Sequence, residues 1–460
     1  MTAIATRAAE ALPVDDPREI RGWSMYDWAN SAFSTTVATV FLGPYVAELA
    51  RAAAVAAGQP TVSFLGIPVA PDSFMPYCIS VSVFLQVLFL PVLGAIADYS
   101  HLRKRMMQAF ATLGALATTA LYFVEGDRWW LGGLLFVLAN LAFGAAIVFY
   151  NAYLPEIASP ERQDRVSAFG WAMGYLGGGL LLLGNLVLFQ LRERLGLTTG
   201  MAVRLNLASA GLWWMGWSLW TWRTLRPRGA ARALPPGQGY LDVGFQQLGR
   251  TLREARRFPH TLRFLLAYLI YNDGIQTMIA VAAIFATAPL AQGGLAIGQG
   301  TLIQIILMIQ FVAFFGALLW GRLAERIGAR NALLVSLAVW SAVVVYAYLG
   351  LRGEGRVREF WVLGACIAVV MGGSQAISRS LFARMIPPGK EAEFFSVYEI
   401  SERGTSWMGP LLFGLVNQTL GSLRPALLAL IFFFITGSVL LAFFVDVPRA
   451  IAESHAAPSG

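Results

Sequence analysis

Apolar runs of about 20 residues recur from one end of this chain to the other, each enough to cross the roughly 30 Å hydrocarbon core of a bilayer as a helix. Inside hydrocarbon every backbone N–H and C=O must find its partner within the protein, so such runs fold as helices and not as loops or open strands. They fall near 22–48, 75–97, 106–124, 129–151, 166–190 and 205–222, and again near 262–288, 299–320, 331–350, 360–382, 394–419 and 425–446. The expected fold class is therefore all-α and integral to a membrane, with twelve transmembrane helices in two pseudo-symmetric six-helix bundles. None of the runs is long enough to be cut in two. With 57% hydrophobic and 13% charged residues, against about 25% charged in soluble domains, a water-soluble fold is excluded.

A short pattern repeats between the halves. Gly94–Ala95–Ile96–Ala97–Asp98 leads into His101–Leu102–Arg103–Lys104–Arg105, and Gly321–Arg322–Leu323–Ala324–Glu325 leads into Arg326–Ile327–Gly328–Ala329–Arg330, 227 residues later. Each copy ends an apolar run with Gly, places an acid four residues on, adds a basic cluster and starts another apolar run. That is a tight loop between two membrane helices, and a duplicated half points to transport by alternating access. Asp98, Arg103, Glu325 and Arg330 are the gating candidates, because a charge-assisted latch between adjacent helices must break when the halves move.

Lys and Arg set the orientation. With the N-terminus inside, only nine of the 34 basic residues lie in outer segments, so both termini are expected on the inner side. The expected divisions are an N-terminal segment (1–21), a first bundle (22–222), a linker (223–260), a second bundle (261–447) and a tail (448–460), the last ten residues disordered. Arginines 250, 253, 256 and 257 fall at helical spacing. They suit anionic lipid headgroups on an amphipathic helix, or simply a solvated linker helix.

An ionisable group inside a span is costly and marks function by default. Asp27 and Asn30 share a face of the first span, and Asp273 and Gln276 repeat that spacing in the seventh, beside Asn272 and Gly274. A pseudo-symmetric solute site is expected there. Gln375 and Arg379 lie in the tenth span. Glu399, Glu402 and Arg403 lie in the eleventh, where Glu399 and Arg403 are spaced for a helical ion pair. Glu402 is then left to pair with Arg379 or to carry a proton. Tyr150 and Asn151, before Pro155–Glu156, read as a helix terminus. Gly170, Gly174, Gly177, Gly178 and Gly179 give the fifth span a small-residue face, expected to pack the halves together.

Several classes drop out. The three histidines form no metal-ligand cluster, Cys78 and Cys366 sit in apolar runs as expected buried hydrophobes, and no phosphate-binding Gly-x-x-x-x-Gly-Lys-[Ser/Thr] loop is present. The basic residues punctuate apolar runs instead of forming a nucleic-acid surface. No cofactor, metal or nucleic acid is expected, and no enzyme activity. The expected partners are membrane lipids, a small solute and protons as candidate coupling ion, and the chain is expected to act as a monomer.

The twelve-span layout with the Gly94–Asp98…Arg103–Lys104 loop resembles the major facilitator superfamily, although His101 and the lack of a central glycine depart from its loop motif. Tyr26–Asp–Trp–Ala–Asn–Ser–Ala–Phe33, Tyr271–Asn–Asp–Gly–Ile–Gln–Thr277, Gln375–Ala–Ile–Ser–Arg–Ser–Leu–Phe–Ala–Arg384 and Glu391–Ala–Glu–Phe–Phe395 are similar to the bacterial branch related to the fungal vacuolar effluxer Atg22. The resemblance implies a secondary transporter in a bacterial cytoplasmic membrane, moving a small polar or zwitterionic solute such as an amino acid. Import or efflux, and the solute itself, stay open. A non-transporting receptor on the same scaffold is the alternative.

Overall fold

The computed structural model describes residues 13–98, 102–227, 258–403 and 408–456. The first half comprises a first span Pro17–Ala56, a second Pro71–Asp98, a third Arg103–Phe123, a fourth Trp129–Asn151, a fifth Gln163–Leu191 and a sixth Thr199–Thr224. The second half comprises a seventh Pro259–Thr287, an eighth Gln299–Ile327, a ninth Ala329–Leu349, a tenth Arg356–Arg384, an eleventh in two segments, Glu391–Arg403 and Met408–Leu420, and a twelfth Leu423–Phe444. Among the described residues ten of these helices are long and apolar enough to cross a membrane. The sixth is rich in tryptophan and less apolar, and the eleventh is described only over Glu391–Arg403 and Met408–Leu420. The chain is an all-α membrane protein of two six-helix bundles.

Local chemistry explains several boundaries. The first span begins at Pro17, earlier than the apolar run, because Asp16 caps it: its carboxylate accepts from the Arg18 N–H at 2.9 Å, with Pro at the first helical position. Thr198 caps the sixth in the same way through the Met201 N–H. Gly328 turns the chain between the eighth and ninth spans with φ +83°, a conformation that side chains disfavour. Arginines tie the ninth span to the twelfth at both ends. Arg424 donates to the carbonyls of Ala347, Tyr348, Gly350 and Leu351, where the ninth span leaves its last acceptors unsatisfied. Arg330 does the same for Leu441 and Ala442 at the end of the twelfth.

Three features depart from the sequence expectations. The first span is a long helix whose middle, Phe33–Phe41, widens into a π-helix. The first outer connection carries a two-stranded hairpin, Val62–Phe64 with Ile67–Val69. The tail is helical from Val447 to Ala456 instead of disordered. Cys366 is exposed on the bundle surface and Cys78 is only half-buried. The expected lipid-binding stretch 250–257 lies outside the described residues.

The ends that carry the N-terminal segment, the third span's Arg103 and the Arg384–Glu391 connection form a basic face. There the halves meet closely. The second span packs on Glu391–Arg403, and the fifth packs on the eighth and tenth. A Cβ on Gly94 would stand 2.6 Å from the Ala392 carbonyl oxygen, and one on Gly321 would stand 2.5 Å from Ala168 Cβ. Toward the opposite face the segment Met408–Leu420 packs instead on its own half, against the seventh and twelfth spans. The halves are thus closed at the basic face and parted at the other. A Gly94→Leu replacement should wedge the closed face, because the added side chain meets backbone, and overpacking costs about 1–3 kcal/mol. Spin labels on the basic-face ends of the second and eleventh spans should move apart; an unchanged distance distribution would count against this closure.

Candidate functional site

The parted halves enclose a cavity of about 570 Å³, within the roughly 300–1,000 Å³ typical of small-molecule sites. Its floor lies near Asp27 and Arg379, and it runs toward the opposite face past Thr35, Thr39 and Ala280. Ser34, Ala38, Thr39 and Ala280 are exposed along its walls.

The first span supplies one wall through its π-helical stretch. Ser34 donates to the Ser31 carbonyl at 3.0 Å, Thr35 to the same carbonyl at 2.8 Å, and Thr39 to the Ser34 carbonyl at 2.8 Å. Such hydroxyl back-bonding competes with the helical ladder and bends helices, and π-helical turns frequently mark functional sites. The stretch turns Ser34, Thr35 and Thr39 into the cavity.

The floor is an ionic layer that crosses between the halves. Arg379, 3% exposed on the tenth span, donates through Nη1 to Asp27 Oδ2 at 3.2 Å and to Asn151 Oδ1 at 3.4 Å. Its Nε donates to Ser167 Oγ at 2.9 Å and its Nη2 to the Ser167 carbonyl at 2.8 Å. Three rings surround the guanidinium: Trp23, Tyr150 and Trp171, with centroids 5.0, 5.7 and 5.5 Å away. Trp23 stacks on Tyr150 with centroids 4.4 Å apart, and the Tyr150 hydroxyl donates to Asp27 Oδ2 at 2.7 Å. Asn151 continues the layer by donating to Glu399 Oε1 at 3.0 Å. Gly170 makes room for it all, since a Cβ there would meet Asp27 Oδ2 at 2.5 Å and Arg379 Nη2 at 3.0 Å.

Beneath this floor, two further ionic contacts cross the basic face. Arg103 holds Glu156 at 2.6 Å within its own half and Glu391 of the other half at 3.6 Å. Asp164 accepts from Ser380 at 2.5 Å and from Arg384 at 2.9 Å.

The structure redistributes the expected roles. Asp27, Asn30, Gln276, Gln375, Arg379 and Glu399 line the one cavity. Gln375 is held by the Tyr175 hydroxyl across the halves at 2.8 Å. Asp273 is not among the lining residues. It is 1% exposed and turned toward the eleventh span, where its Oδ2 accepts from the Gly409 N–H at 2.6 Å. Helix register thus gives Asp27 the cavity and Asp273 the backbone of a neighbouring helix. Asn272, also buried, lies outside the lining too. Arg379 pairs with Asp27. The side chains of Glu402, Arg403 and Asp98 lie outside the described residues. Among the four gating candidates, Arg103 bridges the halves, whereas Glu325 is exposed and forms no ion pair among the described residues. Arg330 binds the twelfth span's carbonyls, a packing role within its own half. The fifth-span glycines mostly seat that helix on the first span of the same half, against Trp28, Ser31 and Thr35, and only Gly179 packs on the eighth span's Gln310.

Sequence reasoning missed Trp23, Trp171, Ser167 and Asp164, and it read Tyr150 and Asn151 as a helix end. Aromatic and small residues at helical spacing look like ordinary packing. Asp164, between arginines 162 and 165, looks like a solvated loop acid.

Two parted bundles around a central polar cavity, sealed on one face by ionic contacts between them, make the architecture of a major facilitator transporter. The solved structure of the transporter FucP in its outward conformation shares this fold, with a TM-score of 0.66 at 12% identity over 94% of this chain and 99% of that one. The chain belongs to the Atg22-like vacuole effluxer family, whose model matches residues 15–455. It is 30% identical to the uncharacterized MFS-type transporter YxiO of Bacillus subtilis, over 93% of this chain and 94% of that protein. It is 27% identical to autophagy-related protein 22-1 of Penicillium rubens, over 95% of this chain and 91% of that one.

Arg379→Met should lower the thermal unfolding midpoint sharply, since removing one partner of a buried ion pair leaves the other uncompensated at about 3–5 kcal/mol. A shift no larger than that of a surface arginine would remove Arg379 from the structural floor. Asp273→Ala should cost about 1–3 kcal/mol by leaving the buried Gly409 N–H without its acceptor, and Asp273→Asn, which still accepts from Gly409, much less. Hydrogen exchange over 408–420 reads this directly: equal protection in both variants would rule out a stabilising role for this bond.

Proposed function

We propose that this protein is a secondary active transporter that moves a small polar or zwitterionic solute, with amino acids the leading class, by alternating access. The observation that carries this reading is the cavity between the halves, open at one face and closed at the other by contacts that can break as a set: Asp27–Arg379, Arg103–Glu391 and Asp164–Arg384. An enclosed enzyme site would not need its floor built from ion pairs that span two separately packed bundles. In the alternate state these pairs separate, and the cavity opens on the basic face.

The excess of Lys and Arg supports assigning the basic face to the cytoplasm of a bacterial cell, with the chain in the inner membrane and both termini inside. On that assignment the cavity opens outward. Glu399 lines the cavity and is joined to the ionic floor through Asn151, so it takes the place expected of a coupling acid, with Glu402 a turn further along the same helix. Protonation of Glu399 would weaken its charge-assisted hydrogen bond to Asn151 and so loosen the floor.

Purified protein in liposomes should exchange a radiolabelled amino acid mixture across the bilayer, and an imposed pH gradient should drive net accumulation. Asp164→Asn removes a charge-assisted hydrogen bond remote from the cavity, worth about 1.5–3 kcal/mol. It should change exchange by about tenfold or more while solute affinity shifts by less than about threefold. Binding without any movement would identify a receptor instead, and accumulation indifferent to the pH gradient would remove the proton.

A further inference from the structure

We infer that the cavity recognises its solute by an ammonium group, held by Asp27, and that Arg379 is withheld from the solute while the floor is closed. This deepens the proposed function and rests on the cavity being its solute site.

Arg379 looks at first like a receptor for a carboxylate, but its geometry forbids that role. Four hydrogen bonds, to Asp27, Asn151 and twice to Ser167, occupy most of the guanidinium's donors. Trp23, Tyr150 and Trp171 stand around it. A solute carboxylate would have to displace acceptors that the fold itself supplies, one of them a backbone carbonyl that cannot swing away.

Asp27 differs. Both of its contacts, from the Tyr150 hydroxyl and from Arg379, fall on Oδ2, and Oδ1 has no partner among the described residues while the residue lines the cavity. Gln310 also lines the cavity, and its Oε1 is a buried acceptor without a partner. Among the described lining residues two are acids, Asp27 and Glu399, and Arg379 is the one base. With the donors of Arg379 taken, the lining offers a solute two open acceptors, Asp27 Oδ1 and Gln310 Oε1. Such acceptors receive the N–H groups of an ammonium and repel a carboxylate. Asn30, whose Nδ2 is buried without a partner, offers a neutral donor for a hydroxyl, a carbonyl or a carboxylate oxygen. A carboxylate on the solute is tolerated there, but the ammonium is what the open acceptors of Asp27 and Gln310 select.

The test uses the full-length wild-type protein and three probes of one skeleton: phenylalanine, phenethylamine, which lacks the carboxylate, and 3-phenylpropionate, which lacks the amine. Binding is measured by calorimetry. Phenethylamine should bind within about tenfold of phenylalanine, and 3-phenylpropionate at least about tenfold more weakly than either. Failure of phenethylamine to bind, or equal binding of 3-phenylpropionate, overturns the inference. Asp27→Asn should erase the preference for the amine wherever that variant remains folded; the wild-type comparison decides the matter if it does not. Phenethylamine that binds but does not cross liposome membranes leaves the inference standing and sinks the transport reading. Movement of 3-phenylpropionate without amine binding does the reverse.

Discussion

The Asp27–Arg379 ion pair joins the two halves of this protein at the bottom of their shared cavity, and most of the central architecture answers to it. A guanidinium in low dielectric is strongly unfavourable unless it is paired and its donors are satisfied. Ser167 and Asn151 meet the hydrogen-bonding demand, and Tyr150 steadies the carboxylate that faces the guanidinium. Trp23 and Trp171 stand beside the guanidinium, with ring centroids 5.0 and 5.5 Å away. Gly170 is required because nothing larger fits between Asp27 and Arg379.

An interaction of this kind suits a moving part. Removing one partner is strongly destabilising, yet separating both into separately solvated halves is not, because each charge regains water. The same holds for Arg103–Glu391 and Asp164–Arg384 at the basic face. Side chains of small residues line the seam as well, so that Gly94 and Gly321 bring backbones close without interlocking them. A seam of charges and small residues closes and opens; a seam of interdigitated leucines would stay shut.

The two halves have diverged where their roles differ. Asp27 and Asp273 occupy matching helices with matching neighbours, Asn30 and Gln276. Asp27 faces the cavity, and Asp273 accepts the Gly409 N–H of the eleventh span. The loops diverged too. Arg103 reaches across the halves, whereas Arg330 ties down the twelfth span within its own.

The sequence by itself determined the fold class, the two-half plan and the family, because hydrocarbon leaves a long apolar run only one way to satisfy its backbone, and because a duplicated loop survives as a readable pattern. It also singled out Asp27, Gln276, Arg379 and Glu399, which line the cavity, since an ionisable or amide side chain in an apolar run is conspicuous. Only the tertiary structure decided which of these meet. Arg379 and Asp27 are 352 positions apart, and helical spacing reports neighbours only within one helix, so the sequence offered Glu402 as a partner and missed Asp27. It could not distinguish the cavity-facing Asp27 from Asp273, which is buried against the eleventh span, because a local motif does not encode which face a neighbouring helix will cover. Nor could it set Trp23, Tyr150 and Trp171 around a guanidinium, since aromatic residues bury themselves by the same rule whether they fill a core or enclose a charge.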